Sequence, residues 1–440
     1  MASKINQNRI LDQFFGGRGG DALFSCEAVS AYYGAAGARD VYAVWQGGAA
    51  LGAKDVDKII RVLDLAAQTG CPVVTFYNSV GAKLAEGLDA LTAAARLNAA
   101  VARYSGVIPQ VAVVLGVCGG TSAMAAANVD LCVMAEGAEL FFTPPFTSAA
   151  KGDKVEGAGT AAAAAKAGVA AVVARTAEEA AAAAARLVQM LPANNLSAAD
   201  QFECAAPAEK ALKAGAGAAK AAAAVTDAGS CVELYAGYGK NVFTGLATIG
   251  GMPAGVVVTG EKLCRNCVSK ASRLIRLCDA FNLPVVTVVD TEGFVPSVTD
   301  DIAGGLREAA RLAATCADAT CPRVSLLYGK AVGPVYTAFA AADLRVAVRG
   351  CTISPIEPTA AVSVLYKEEL DAADSIAAAT QAKAAAYRQE VCSADAAVAA
   401  GAADTACDPS GAYGAAVQAL QMMRTKRAAR LPKKHGNMAL

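Results

Sequence analysis

One histidine occurs in 440 residues, His435 near the C-terminus. That count alone nearly removes a Ser-His-Asp triad and any metal site built from several histidines. An excess of one charge is missing as well. Lys plus Arg and Asp plus Glu are 39 each, so nothing is left over to neutralise a phosphate backbone, and no nucleic-acid partner is expected. Long apolar runs are absent although 55% of the residues are hydrophobic. The most apolar stretch, Val107 to Val117, contains Pro109 and Gln110 and falls far short of the roughly 20 residues that span a bilayer. The opening segment MASKINQNRI lacks the apolar core of a secretion signal, so the expected location is cytoplasmic, with no direct membrane insertion.

Cysteine is plentiful, with 14 in the chain, yet a disulfide framework is not expected. Cys71, Cys118, Cys132, Cys278 and Cys351 sit inside apolar periodic segments, where a thiol acts as a small hydrophobe. Cys264 and Cys267 form one CxxC, but a structural zinc site needs four ligands and no second pair lies at a suitable spacing. They read as two cysteines on a short helical turn, and no metal is expected.

The chain instead repeats itself. KIIRVLDLAAQTGCPVVTFYNSVG from Lys58 returns as KASRLIRLCDAFNLPVVTVVDTEG from Lys270, an offset of 212 (270 − 58). Arg61 and Arg273, Leu65 and Leu277, Pro72 and Pro284, and Gly81 and Gly293 keep that offset without a gap, which indicates duplication. Before each proline, apolar residues recur at helical spacing: Ile59, Val62, Leu63 and Ala66, then Ala271, Leu274, Ile275 and Cys278. After it, PVVTFY and PVVTVVD read as buried strands ending in glycine-bearing turns. A second strand-to-turn unit follows in each half, Val111–Leu115 into GVCGGTSAM and Val324–Tyr328 into GKAVGPVYT. Here the offset drifts to 213 (329 − 116) and 214 (333 − 119). Helix and strand alternate throughout, so the fold class is α/β.

Alanine-rich sequence runs between the halves from Ala149 to Ala224. Thr176 with Glu179 forms a capping box, and a helix is expected from Thr176 to Leu191, stopped by LPANN. From Ser197 the composition turns small and polar. The expected domains are 1–196 and 229–440, joined by a linker at 197–228.

The candidate chemistry lies in the glycine-rich turns. Backbone amides at a strand-to-helix turn point outward and can cradle a carbonyl oxygen that becomes an oxyanion, and Gly119 and Gly120 stand at such a turn. Tight helix packing produces the same pattern, so the partial recurrence in the second half carries the weight.

These residues resemble the carboxyltransferase subunits of biotin-dependent acyl-CoA carboxylases and acyl-CoA decarboxylases, the propionyl-CoA carboxylase beta-like proteins of the crotonase superfamily. KASRLIRLCDAFNLPVVTVVDTEGFVP carries the most specific similarity, joined by LPANN, SVGAKLAEG, GVCGG and the terminal KKHGNMAL with RTKR upstream. The resemblance implies two tandem crotonase-like (ClpP/crotonase) domains, the first on the acyl-CoA side and the second on the biotin side. It implies transfer of a carboxyl group between carboxybiotin and the α-carbon of an acyl-CoA, without an obligatory acid or base side chain. Charge then develops on the thioester oxygen and on the biotin ureido oxygen, each held by backbone amides. Carried over, Gly119 and Gly120 bind the first oxygen, and the amides around Gly333 and Val335 face the second. Gly81, Ala82, Lys83, Thr121, Gly293, Phe294 and Tyr336 are the implied substrate-binding residues. No Met-Lys-Met biotinylation site occurs, so a separate biotin carboxyl carrier protein is an implied partner. A biotin carboxylase or a membrane sodium-pump subunit joins it, according to whether the complex carboxylates or decarboxylates. A dimer-based homo-oligomer, up to a hexamer, is implied too.

Departures from the family matter. Proline, which has no amide hydrogen, stands at Pro334 inside the second turn; Val80-Gly81 replaces Gly-Gly; Lys83 replaces Arg; and Glu292 replaces Pro. They keep open a non-catalytic scaffold subunit. A third reading, another crotonase-type enzyme such as a hydratase, would need an acid–base pair, for which Glu86, Glu136 and Glu139 are candidates.

Overall fold

Short β-branched runs bounded by proline and glycine become the central strands of two mixed sheets, one in each of two compact units. The computed structural model describes residues 5–152, 155–295, 297–428, 430–433 and 436–437. The first unit comprises Met1–Asp200 with Leu234–Tyr238, and the second Gln201–Glu233 with Gly239–Leu440.

In the first unit α1 (Gln7–Phe14) precedes an antiparallel meander of β1 (Asp21–Ser25), β2 (Val29–Ala36) and β3 (Arg39–Gln46). Helix α2 (Ala53–Thr69) leads to β4 (Val73–Ser79), and α3 (Leu88–Tyr104) to β5 (Gln110–Gly119). There follow α4 (Thr121–Asn128), β6 (Leu131–Ala135), β7 (Glu139–Phe141), β8 (Val172–Ala174) and α5 (Ala177–Met190). The sheet order is β1-β2-β3-β4-β5-β6-β8, with β7 beside the end of β5, and β3 onward run parallel. Parallel strands joined by helices are covered on both faces, which is why Val73, Val74 and Val111–Val114 are all buried.

Helix α2 buries Val56, Ile59, Val62, Leu63 and Ala66, the stripe that its periodicity predicts, and ends where Gly70 turns left-handed at φ 69°. Its start is held by the buried Asp55, whose carboxylate accepts the Gly52 N–H and the Ala28 N–H, both at 3.0 Å. Thr176 caps α5 as expected, its hydroxyl accepting the Glu179 N–H at 3.1 Å.

The second unit repeats the plan. Helix α6 (Ala218–Ala223) and β9 (Val232–Glu233) precede a hairpin of β10 (Val242–Ile249) and β11 (Met252–Thr259). Then come β12 (Lys262–Leu263), α7 (Arg265–Ala280), β13 (Val285–Thr291), β14 (Gly293–Phe294), α8 (Gly305–Asp318) and β15 (Arg323–Val332). The chain continues through α9 (Pro334–Phe339), β16 (Leu344–Val348), β17 (Thr352–Ser354), β18 (Thr405–Cys407) and α10 (Ala412–Met422), after further helices between β17 and β18. Its sheet order, β18-β16-β15-β13-β11-β10-β9 with β17 beside β15, matches the first strand for strand. β4 and β13 begin 212 residues apart (285 − 73), whereas β5 and β15 begin 213 apart (323 − 110). One residue has been gained between them.

Two sequence expectations change. The constant offset of 213 pairs Gly333 with Gly120 (333 − 120), not with Gly119, because the strands and both following helices keep that offset. The stretch expected as a linker belongs to the second unit from residue 201: residues 201–220 are exposed or half-buried apart from Leu212, whereas Ala221, Ala222, Ala224 and Val225 are buried in the core with it. Among the described residues no helix is long and apolar enough to cross a membrane.

Asp227 closes that packing. Its carboxylate accepts N–H groups from Gly250 at 2.9 Å and Gly251 at 2.8 Å, in the turn between β10 and β11, and the Tyr413 hydroxyl of α10 at 2.6 Å. Burial pushes its pKa up, but the bonds from Tyr413, Thr248 and the two glycines outweigh burial and leave it below the ordinary value. A depressed folded pKa means stability present above the unfolded value of about 3.9 and lost as pH falls through the folded one. Asp227→Ala should lower stability at neutral pH by about 1–3 kcal/mol, and its melting temperature should fall less steeply below pH ~4 than that of the parent protein. Calorimetry across pH measures both.

Candidate active site

Each unit carries one turn of the same construction. In the first, β5 ends at Gly119 and the chain passes through Gly120, at φ 60° and ψ −130°, into α4. A side chain at 119 would meet the Phe141 ring at 2.6 Å, so glycine there is a packing requirement. Gly120 N–H donates to the Phe141 carbonyl at 3.0 Å, which ties the turn to β7. The first-turn amides of Thr121 and Ser122 have no partner among the described residues, as expected for the start of a helix.

A second loop meets this turn. The Ser79 hydroxyl donates to the Ala49 carbonyl at 2.7 Å and accepts Gly81 N–H at 3.2 Å, holding Gly81 at φ 110°. Leu51 N–H then donates to the Gly81 carbonyl at 2.8 Å, and Lys83 N–H to the Leu51 carbonyl at 2.9 Å. Between them the Ala82 amide is left without a partner among the described residues. A narrow cleft lined by Ala82, Thr121, Ser122 and Asn98 together with Leu51 and Leu97 joins loop and turn. Three unbonded amides thus belong to residues bordering one small apolar cleft, a setting in which a developing negative oxygen would be held strongly.

The second unit has the counterparts. The Thr291 hydroxyl donates to the Glu261 carbonyl at 3.0 Å and accepts Gly293 N–H at 3.2 Å, with Gly293 at φ 131°. Phe294, half-buried, pairs with Leu263 as Ala82 pairs with Leu51. Gly333, at φ 54° and ψ −124°, donates its N–H to the Ser354 carbonyl at 2.9 Å. Pro334 has no N–H, and the amides of the buried Val335 and of Tyr336 remain without partners among the described residues.

Several expected site residues have structural occupations. Lys83 pairs with Glu27 at 2.6 Å and Glu86 at 3.8 Å, and the Glu27 contact raises its pKa. The Tyr336 hydroxyl donates to the Ala402 carbonyl at 2.8 Å, so it faces protein. Tyr328 is core, and burial pushes its hydroxyl well above its ordinary pKa. Glu86 accepts Ala53 N–H at 2.7 Å at the start of α2, while Glu136 and Glu139 are exposed, and none of the three lines the cleft. His435 lies outside the described residues.

Sequence reasoning passed over Asn78 and Asp290, which the 212 offset pairs. Each lies over a glycine of the neighbouring strand, Gly116 and Gly329, where a Cβ would overlap the side-chain oxygen. Asp290 accepts Lys330 N–H at 2.9 Å, fixing the strand just before the Gly333 turn. The constant offset was the available signal.

Both units of this duplicated α/β chain thus carry a turn of the same construction, with helix-start amides unbonded among the described residues. The chain belongs to the carboxyl transferase domain family, which matches residues 25–438. It is 30% identical to the methylmalonyl-CoA decarboxylase subunit alpha of Propionigenium modestum, over 94% of this chain and 86% of that one. It is 28% identical to the biotin-dependent acetyl-/propionyl-coenzyme A carboxylase beta5 subunit of Mycobacterium tuberculosis, over 93% and 82% of the two chains. Among solved structures, transcarboxylase 12S, a hexamer described with methylmalonyl-coenzyme A and methylmalonic acid bound, superposes with a TM-score of 0.92 at 27% identity, over 100% of this chain and 93% of that one. The family expected from the motifs is therefore the one found, and the relatives are acyl-CoA carboxyltransferases and decarboxylases.

Gly329→Ala should destabilise the second unit by about 1–3 kcal/mol through overlap with Asp290, and by much less in an Asp290→Ala background. Urea unfolding of the four proteins of that cycle reads the coupling.

Proposed function

We propose that this chain is a biotin-dependent carboxyltransferase built from two tandem crotonase-like domains, moving a carboxyl group between carboxybiotin and the α-carbon of an acyl-CoA thioester. The observation that carries the reading is the pair of turns whose helix-start amides are unbonded among the described residues in both units. In the first unit the thioester oxygen, negative as the enolate forms, is held by amides from Ala82 and from Thr121 or Ser122. Gly119 and Gly120 shape the turn: the first admits the Phe141 ring and the second anchors to β7. In the second unit the ureido oxygen meets the amides of Val335 and Tyr336, with Gly333 and the Gly293–Phe294 turn setting their position. The biotin arrives on a separate carrier protein.

No side-chain acid or base is needed, because both charges that develop rest on oxygens. Each preorganised donor in such a site supplies about 3 kcal/mol to the transition state, so two or three per oxygen account for a large share of catalysis. Pro334 removes one amide on the biotin side, and it is the observation that favours the alternative of a scaffold subunit.

The protein contains its own control. Gly333-Pro334 shows that proline fits directly after a glycine near φ 54° and ψ −124° at this turn, so Thr121→Pro should fold normally while deleting one amide. Carboxyl transfer from malonyl-CoA, methylmalonyl-CoA or glutaconyl-CoA to free biocytin should proceed with the parent protein. It should fall about 10²- to 10³-fold in kcat with Thr121→Pro at unchanged melting temperature. A folded parent protein that turns over none of the three would favour the scaffold.

A further inference from the structure

The duplication exposes one substitution that the proposed reaction does not use. At the start of α2, Asp55 accepts N–H groups from Gly52 and Ala28. In the second unit the positions 212 residues on from Gly52 and Asp55 are Cys264 and Cys267. A thiol therefore stands where its duplicate has a carboxylate. The next helical turn carries Lys270, 2% exposed, whose Nζ donates to the Val242 carbonyl at 2.8 Å and whose charge acts on Cys267. Its counterpart Lys58 instead lies over the Phe24 ring, with Nζ 5.0 Å from the centroid.

Cys264 caps the 16-residue helix α7 without a side-chain bond to it, is partly exposed, and has its sulfur 3.0 Å from that of the fully buried Cys267. A partly exposed cysteine at a helix start with a buried one three residues on has the spacing of Cys-X-X-Cys redox pairs.

We propose that Cys264 and Cys267 are a redox-active dithiol that closes reversibly to an intramolecular disulfide on reaction with a peroxide. Cys264, as thiolate, attacks the peroxide; the O–O bond breaks, Cys264 becomes a sulfenic acid, and the departing hydroxide takes up the proton the thiol had released, giving one water. Cys267 then attacks the Cys264 sulfur, the S–OH bond breaks, and hydroxide leaves with the Cys267 proton as a second water. Two thiols are oxidised and one peroxide is reduced. Burial pushes the Cys267 thiol up to about 11, which leaves the partly exposed Cys264 as first attacker. On reduction an external thiolate attacks Cys264, the S–S bond breaks, and Cys267 departs beside Lys270 and takes up a proton, as its raised pKa requires. The device sits at a sensitive joint: β12, immediately before Cys264, is the ladder partner of the Gly293–Phe294 turn.

The test treats the whole protein with hydrogen peroxide, alkylates remaining thiols and weighs the peptide that carries both cysteines. The expected product is unalkylated, lighter than the dithiol by two hydrogens, and restored by dithiothreitol. Cys264→Ser keeps a good helix cap and should yield no such product, whereas Cys267→Ala should stop at a Cys264 sulfenic acid. Lys270→Met should slow reopening by dithiothreitol severalfold, with Lys270→Arg restoring most of the rate. A pair that stays fully alkylatable after peroxide, or that goes directly to a Cys264 sulfinic acid, would overturn the proposal.

Discussion

Everything at the candidate site depends on backbone amides that the fold leaves unbonded. A helix cannot satisfy its first N–H groups internally, and in most proteins a side chain caps them. Here the residues before α4 and α9 are Gly120 and Gly333, which have no side chain to cap with. Their positive φ turns their own N–H groups toward β7 and β17, so the turn is anchored while the next amides stay open. An L-residue at either position would be strained, and at 333 its Cβ would also meet the Pro355 carbonyl at 2.9 Å.

Duplication lets the two units be read against each other. Shared features mark what the fold needs: the Ser79–Gly81 and Thr291–Gly293 turns, and Asn78 and Asp290 lying over Gly116 and Gly329. Divergent ones mark where the halves took different tasks. Thr121 has become Pro334, exposed Lys58 has become buried Lys270, and Asp55 has become Cys267. Each change alters donors, charge or redox chemistry without disturbing the sheet order.

The repeat, the buried strands after Pro72 and Pro284, the α2 and α7 stripes and the Thr176 cap were legible because they are local patterns with fixed periods. The end of the 201–228 segment was not: small polar composition does not tell a mostly exposed stretch such as 213–220 from one that packs, and only the burial of Leu212, Ala221, Ala222, Ala224 and Val225 separates them. The register of the second glycine turn was misjudged by one residue for a related reason. GVCGG offers two glycines, and pairing with β7 decides which of them takes the positive φ.

The sequence by itself determined the duplicated α/β plan and the family, since both rest on periods and contiguous motifs. Tertiary structure decided which groups are spent and which are open. Lys83 meets Glu27 across 56 residues, Glu86 caps α2, and Tyr336 reaches Ala402 across 66. Whether a polar group is available depends on partners far away in the chain, and hydrogen-bond partnership at that range leaves no trace in local spacing.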